Sequence, residues 1–312
     1  MMEIGEVKTF LGLEEDKEGP FDIVILPIPY EMTTSYREGT EFGPEACINA
    51  STQVEINDEL LESELPCGFK IHTSKPWDND VSSLKEALVS ITNFSTPWMN
   101  GEQFPIILGG EHGLLLPLIE AVKEHPSINR ELQKLTIVQI DAHADLRDEL
   151  NGEKFSHGTV IRRALDAGVG NVIQIGVRTY SSEEEEIIQN DERVRTWFAR
   201  DLIKVNPNLS DWDLMIDEIK RIQGPIWLTF DIDGLDGSLV PATGTPVPGG
   251  LSYWGAIEII ESLFSAKDTK VIGADINEIS TSQGTNLTEF SAALIATKIL
   301  ACHIANNISK WE

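Results

Sequence analysis

Six short apolar runs, most of them leading into charged residues, constrain the fold more than any other feature of this 312-residue chain. They are FDIVILPI (Phe21 to Ile28), FPIILGG (Phe104 to Gly110), LTIVQID (Leu135 to Asp141), NVIQIGV (Asn171 to Val177), PIWLTFDID (Pro225 to Asp233) and KVIGADI (Lys270 to Ile276). Hydrophobicity that is continuous rather than alternating belongs to strands covered on both faces, as in a parallel sheet. Amphipathic stretches such as VSSLKEALVSITNF, SHGTVIRRALDAG and TEFSAALIATKILACHIANNI lie between the runs. The β-then-α alternation predicts a three-layer α/β/α sandwich around a central parallel sheet, as one domain spanning residues 1–312. The loop VPATGTPVPGG (Val240 to Gly250) follows a strand directly and reads as ordered.

In such sheets ligands bind beyond the carboxyl ends of the strands, and the unusual residues collect there. Glu111 and His112 end one run. Asp141, His143 and Asp145 (DAHAD) end another, Asp231, Asp233 and Asp236 (DIDGLD) a third, and Asp275 and Glu278 (DINE) a fourth. In an extended chain, alternation would aim Asp141, His143 and Asp145 to one side. Singly, His112 also reads as a hydrogen-bonded histidine near a turn. Asp231 and Asp233 also read as a cap, a turn former or a magnesium site. Together, four aspartates and two histidines bring about four negative charges into one crevice, which cannot stay uncompensated. Two divalent cations would balance them. Mixed imidazole and carboxylate donors suit manganese, iron or zinc, and the lack of cysteine disfavours structural zinc. A water shared by two cations ionises near neutral pH and can attack carbon or phosphorus. The acidic surroundings favour a small cation over a phosphate ester.

The net charge of −27 argues against nucleic acid as a partner. No run in the sequence reads as the ~20 apolar residues that span a bilayer, and the opening MMEIGEVKTF lacks the pattern of a signal peptide. Cys47, Cys67 and Cys302 are widely spaced and read as reduced thiols of a cytoplasmic protein. The run SSEEEEIIQNDE reads as a solvated acidic helix start.

The motifs GGEHG, DAHAD, SHGT, FDIDGLD, GTPVPGG and GADINEI, in this order, resemble the ureohydrolases: arginase, agmatinase and their relatives. LPIPYEMTTSYREGTEFGPEACINAS resembles that family's N-terminal segment, so the resemblance covers nearly the whole chain. It implies an arginase/deacetylase-like fold with about eight strands, two Mn2+ per subunit, and a homo-oligomer, trimer or hexamer. It implies that His112, Asp141, Asp145 and Asp231 hold one ion and Asp141, His143, Asp231 and Asp233 the other, with Asp141 and Asp231 bridging. Glu278 matches a guanidinium-binding carboxylate, which suits paired N–H donors; alone it reads as an exposed glutamate. His157 matches a proton-shuttling histidine; alone it reads as a polar residue at a helix start. The implied reaction is attack on a guanidino carbon, releasing urea and an amine.

The stretch ADLRDELNGEKFSHGT resembles the agmatinase branch, which implies agmatine giving putrescine and urea. Asp148, Glu149 and Glu153 are candidates to accept the substrate's ammonium. Arg147, Lys154, Arg162 and Arg163 share the region and keep guanidino acids open, 4-guanidinobutyrate and 3-guanidinopropionate among them. Arginine, free guanidine and formiminoglutamate also stay open. Gly237, Ala242 and Gly113 stand where proline, glycine and serine or threonine are usual, and none removes a ligand. A non-catalytic binding homologue and a two-metal phosphatase are the other classes. The complete ligand set argues against the first and the excess acid against the second.

Overall fold

Eight strands run in one direction through the centre of the structure, a computed structural model that describes residues 8–15, 18–203, 210–281 and 284–308. They are β1 (Ile23–Ile28), β2 (Ile71–Thr73), β3 (Phe104–Gly109), β4 (Thr136–Ile140), β5 (Asn171–Val177), β6 (Val194–Phe198), β7 (Gly224–Asp231) and β8 (Thr269–Asn277). Their order in the sheet is β2-β1-β3-β8-β7-β4-β5-β6, with every neighbouring pair parallel. Each of the six apolar runs forms one strand. The opening residues 1–7, from which a missing signal peptide was read, lie outside the described residues.

The helices are α1 (Gly43–Ser51), α2 (Leu84–Ser95), α3 (Leu115–Val122), α4 (Val160–Asp166), α5 (Ser182–Asn190), α6 (Ala199–Leu202), α7 (Asp211–Ile219), α8 (Tyr253–Ser265) and α9 (Leu287–Ala305). Successive strand residues point to opposite faces. Accordingly Ile23, Ile25, Ile106 and Leu108 share a core with α1, α7, α8 and α9. Val24, Leu26 and Ile107 share the other with α2, α3 and α4. Two apolar layers, one on each face, are why the runs show no polar alternation.

One sequence expectation needs correcting. Helix α9 is long and apolar enough to cross a bilayer by length and composition, but 72% of its apolar window is buried inside the fold. It packs on α1 and α8. Its Lys298 is paired with Asp58 at 2.8 Å and Glu261 at 3.2 Å, so its apolar character belongs to a core helix.

The four central strands, β3, β8, β7 and β4, are adjacent in the sheet. His112, Glu278, Asp231 and Asp141 follow or end these strands. The topology alone therefore brings four distant sequence segments to one edge.

Candidate metal centre

Two aspartates at neighbouring strand ends build the site in the same way. Asp141 Oδ1 accepts the His143 N–H at 2.6 Å, and Asp231 Oδ1 accepts the Asp233 N–H at 2.9 Å. Each forms an Asx turn that bends the chain over the strand end. Asp233 Oδ1 accepts the Ala142 N–H at 3.0 Å and locks the two turns together. Strand alternation is thus not what gathers DAHAD. β4 stops at Ile140, and Asp145 takes a left-handed φ of +52°. That conformation is uncommon outside glycine and tolerated best by Asp and Asn. It turns the carboxylate back toward His112.

The resulting geometry has two centres sharing one carboxylate. His112 Nδ1 lies 3.2 Å from Asp141 Oδ2, 3.1 Å from Asp145 Oδ2 and 3.5 Å from Asp231 Oδ2. His143 Nδ1 lies 3.5 Å from Asp141 Oδ1 and 3.1 Å from Asp233 Oδ2. Asp141 faces one histidine with each oxygen, the arrangement a bridging ligand needs. Among the described residues, His112–Asp141–Asp145 and Asp141–His143–Asp233 each bring ligand atoms within 4.8 Å of one another.

A metal ion fits these donors. His112 is buried, and its Nδ1 has no hydrogen-bond partner despite the three nearby carboxylates. A buried orphan nitrogen is costly unless something else satisfies it. Its other nitrogen fixes the tautomer. Asp275 accepts the Thr229 hydroxyl at 2.7 Å and also takes N–H bonds from Trp227 and Asn277. With its proton committed to Asp275, Thr229 Oγ1 accepts from His112 Nε2 at 2.8 Å. Nε2 then carries the proton and leaves the Nδ1 lone pair for a cation.

The electrostatics agree. Burial opposes charge on His143, but Asp233 and Asp141 outweigh it and lift the imidazole to about 12. The same opposition, with Asp141 and Asp145 winning, holds His112 well above its usual value. Burial, then Asp141, pushes Asp145 up to about 7. Acids this crowded draw in protons or metal cations.

Glu278 is buried beside this cluster, at a left-handed φ of +63°. Its Oε1 accepts the His112 N–H at 2.8 Å. Burial, with Glu111 adding to it, lifts its carboxyl to about 8 against that bond. His157 opens a 3-10 turn (His157–Thr159). Its ring nitrogens lie 3.4 Å from Thr33 Oγ1 and 3.4 Å from Ser35 Oγ. Burial, with positive charge on His112 and His143, pushes it down to about 4. The imidazole is therefore neutral at pH ~7. A cleft of about 160 Å³ is lined by His112, His143, Asp145, His157, Asp231, Asp233 and Glu278, together with Arg37, Arg147 and Glu184.

The remaining sequence candidates sit elsewhere. Asp148 pairs with Arg163 at 2.9 Å and Lys154 at 3.2 Å. Glu149 is exposed, and Glu153 accepts the Phe155 N–H at 2.9 Å. None of the three is among the cleft-lining residues. Glu184 was hidden in the acidic run taken as solvated. Glu183, Glu185 and Glu186 are exposed, but Glu184 is buried, forms a capping box with Ser181 and lines the cleft. Glu111 is buried too. It accepts the Met32 and Thr33 N–H groups at 2.8 and 2.6 Å and the Thr33 hydroxyl, which ties the segment holding Thr33 and Ser35 beside His157. This side chain also explains Gly113, since a Cβ there would lie 3.0 Å from Glu111 Oε1 and 3.3 Å from the Tyr30 ring. Asp236, counted among the strand-end acids, serves the loop: its Oδ2 accepts the Gly249 and Gly250 N–H groups at 2.6 and 3.1 Å.

A sequence model of the Arginase family matches residues 21–302. An N(1)-aminopropylagmatine ureohydrolase of Synechocystis is 34% identical over 89% of this chain and 88% of that protein. An agmatinase of Pyrococcus horikoshii is 32% identical over 87% of this chain and 88% of that protein. The crystal structure of agmatine ureohydrolase of Thermoplasma volcanium superposes with a TM-score of 0.76 at 25% identity, over 93% of this chain and 92% of that one. The chain, with its two histidine centres meeting at Asp141, belongs to the Arginase family and is a ureohydrolase acting on guanidino C–N bonds.

Proposed function

We propose that this protein hydrolyses a guanidino compound with a cationic tail, agmatine or its N1-aminopropyl derivative, to urea and the corresponding polyamine. The observation that carries the reading is Glu278. One oxygen is fixed by the His112 N–H, and the carboxylate lines the cleft beside both histidines. A planar guanidinium seated there offers paired N–H donors to the carboxylate. The names of the similar proteins from Synechocystis and Pyrococcus support a polyamine tail.

His112, Asp141, Asp145 and Asp231 would hold one divalent cation, and Asp141, His143, Asp231 and Asp233 the other. Manganese is the proposed metal, since nitrogen and carboxylate donors without thiolate suit it. When bound, such a pair supplies an ionised water and Lewis-acid polarisation at neutral pH. Glu278 orients the guanidino carbon toward the two histidine clusters. Oxygen adds to that carbon, the C–N bond to the tail breaks, and the departing amine takes up a proton. His157, flanked by Thr33 and Ser35 and lining the cleft, is the group placed to relay a proton to the leaving nitrogen, once cations in place of the His112 and His143 protons relieve the repulsion that lowers its pKa.

A second reading has its own observation: Arg37 and Arg147 line the same cleft and would suit a guanidino acid. Arg147 lies 3.7 Å from Glu184, so the wall offers both signs of charge to a tail. We place the whole chain in one catalytic unit that works in the cytoplasm as a trimer or hexamer. Buried Cys47 and Cys302 and half-buried Cys67, all free thiols, fit that compartment. The test is urea release by manganese-loaded protein from agmatine, N1-aminopropylagmatine, 4-guanidinobutyrate, 3-guanidinopropionate, arginine and guanidine, with formamide release from formiminoglutamate alongside. Turnover confined to the guanidino acids would reverse the tail assignment. Turnover of formiminoglutamate alone would end the urea reading.

A further inference from the structure

Beneath the metal ligands runs a row of polar side chains inside the sheet. Thr229 on β7, Gln139 on β4, Gln174 on β5 and Thr196 on β6 are direct register partners, each of the next. Gln139 and Gln174 are fully buried and Thr196 is half-buried. Buried amides must find partners, and which end of each amide faces its neighbour follows from what the neighbour is able to do.

The direction is set at an obligate acceptor. The Ala144 carbonyl only accepts, so Gln174 turns its nitrogen to it, at 2.7 Å. The second Gln174 N–H donates to Gln139 Oε1 at 2.7 Å. Gln174 Oε1 in turn accepts the Thr196 hydroxyl at 2.8 Å. With its oxygen committed, Gln139 presents its nitrogen to Asp141 Oδ2, also at 2.7 Å. Each bond forces the orientation of the next. Asp141 Oδ2 is the oxygen that faces His112, while Oδ1 is separately tied to the His143 N–H at 2.6 Å.

We propose that Gln139, Gln174 and Thr196 form a positioning chain that fixes the rotation of the shared Asp141 carboxylate and so sets the affinity of the His112-side cation. The proposal rests on the two-cation reading above. Without the chain, the carboxylate still pivots on Oδ1, which serves the His143 side. Oδ2 loses the Gln139 donor and swings relative to His112 and Asp145. The effect is therefore selective for one of the two cations, and none of the three residues is itself a ligand.

Chelator-competition titration of manganese into the wild type, Gln174→Met and Thr196→Val tests this, with the spin-coupled manganese signal followed in parallel. Two equivalents in the wild type are expected. One of them weakens about tenfold in Gln174→Met and about threefold in Thr196→Val, while the other holds within about twofold. The coupled signal then forms only at higher manganese. Thr196→Val keeps the side-chain volume and sits on the edge strand, so it decides the matter if Gln174→Met fails to fold. Wild-type affinity for both equivalents in the folded variants overturns the chain. Equal weakening of both does the same, because general loosening of the sheet would produce it. Fewer than two equivalents in the wild type removes the two-cation reading itself, and the chain with it.

Discussion

Glu278 holds its backbone at φ +63° with one oxygen on the His112 N–H, so a glutamine there keeps the shape and removes the carboxyl that a bound guanidinium would hold ionised. Losing one partner of a buried charged pair costs about 2–5 kcal/mol. Glu278→Gln should therefore lower kcat/KM for agmatine at least ~30-fold while two manganese equivalents still bind. Near wild-type turnover would remove Glu278 from substrate recognition. The proposed metal ligands make a pH prediction of definite sign. Asp145, lifted to about 7, holds a proton below that value, and His143, lifted to about 12, holds one throughout the working range. A cation must displace both, so manganese affinity should rise from about pH 5.5 to about pH 8, with protons released into weakly buffered solution. Affinity that is flat across that range would mean the carboxylates and imidazoles are not the ligands. At this scale the sequence displayed the ligand types but not how they meet. The left-handed turn at Asp145 and the burial of Glu184 depend on neighbours far along the chain.

The elements were legible wherever both faces of a strand are covered. β1, β3, β4, β5, β7 and β8 all appeared as continuous apolar runs. β2 and β6 did not, because they are the two edges of the sheet. β2 has three residues, and β6 reads VRTWF with Arg195 exposed. An edge strand is covered less and carries charge, so its sequence loses the signal. The polar residues Gln139 and Gln174 interrupt two of these runs, and only the register shows that they meet. The loop after β7 was read as ordered, and the structure supplies the reason. Asp236 accepts the Ser238 N–H and hydroxyl at 3.1 and 2.5 Å, and reaches across to the Gly249 and Gly250 N–H groups. The Ser238 hydroxyl, with the backbone N–H groups behind it, holds Asp236 down at about 2. A carboxyl depressed in the folded state stabilises above its unfolded value, and that share is lost as pH falls toward 2. Asp236→Asn should cost about 1 kcal/mol at neutral pH, allowing for solvent screening. Urea midpoints of wild type and variant should converge as pH drops below about 4. A gap independent of pH would show that shape, rather than charge, closes this loop.

Over the whole molecule, 51 acidic residues face 24 lysines and arginines, so no arrangement of ion pairs neutralises the surplus of −27. The pairs that do form are mostly exposed, as with Arg130–Glu124 and Arg221–Asp217. Such pairs contribute about 0–1 kcal/mol each and weaken with salt. Unpaired surface charge of one sign acts the other way, since self-repulsion disfavours the compact state and screening relieves it. The two effects have opposite salt dependence, which makes the sign informative. With the surplus exceeding the number of possible pairs, repulsion should prevail. The urea midpoint should therefore rise as sodium chloride goes from about 0.02 M to about 0.5 M. The same rise in choline chloride would exclude specific sodium binding. Measuring both with manganese in excess and again with chelator separates this surface effect from that of the buried carboxylates around Asp141, which a bound cation would neutralise. A midpoint that falls with salt would mean that the few pairs outweigh the surplus. The acidic surface would then have to be explained by its attraction for a cationic substrate rather than tolerated as a burden on folding.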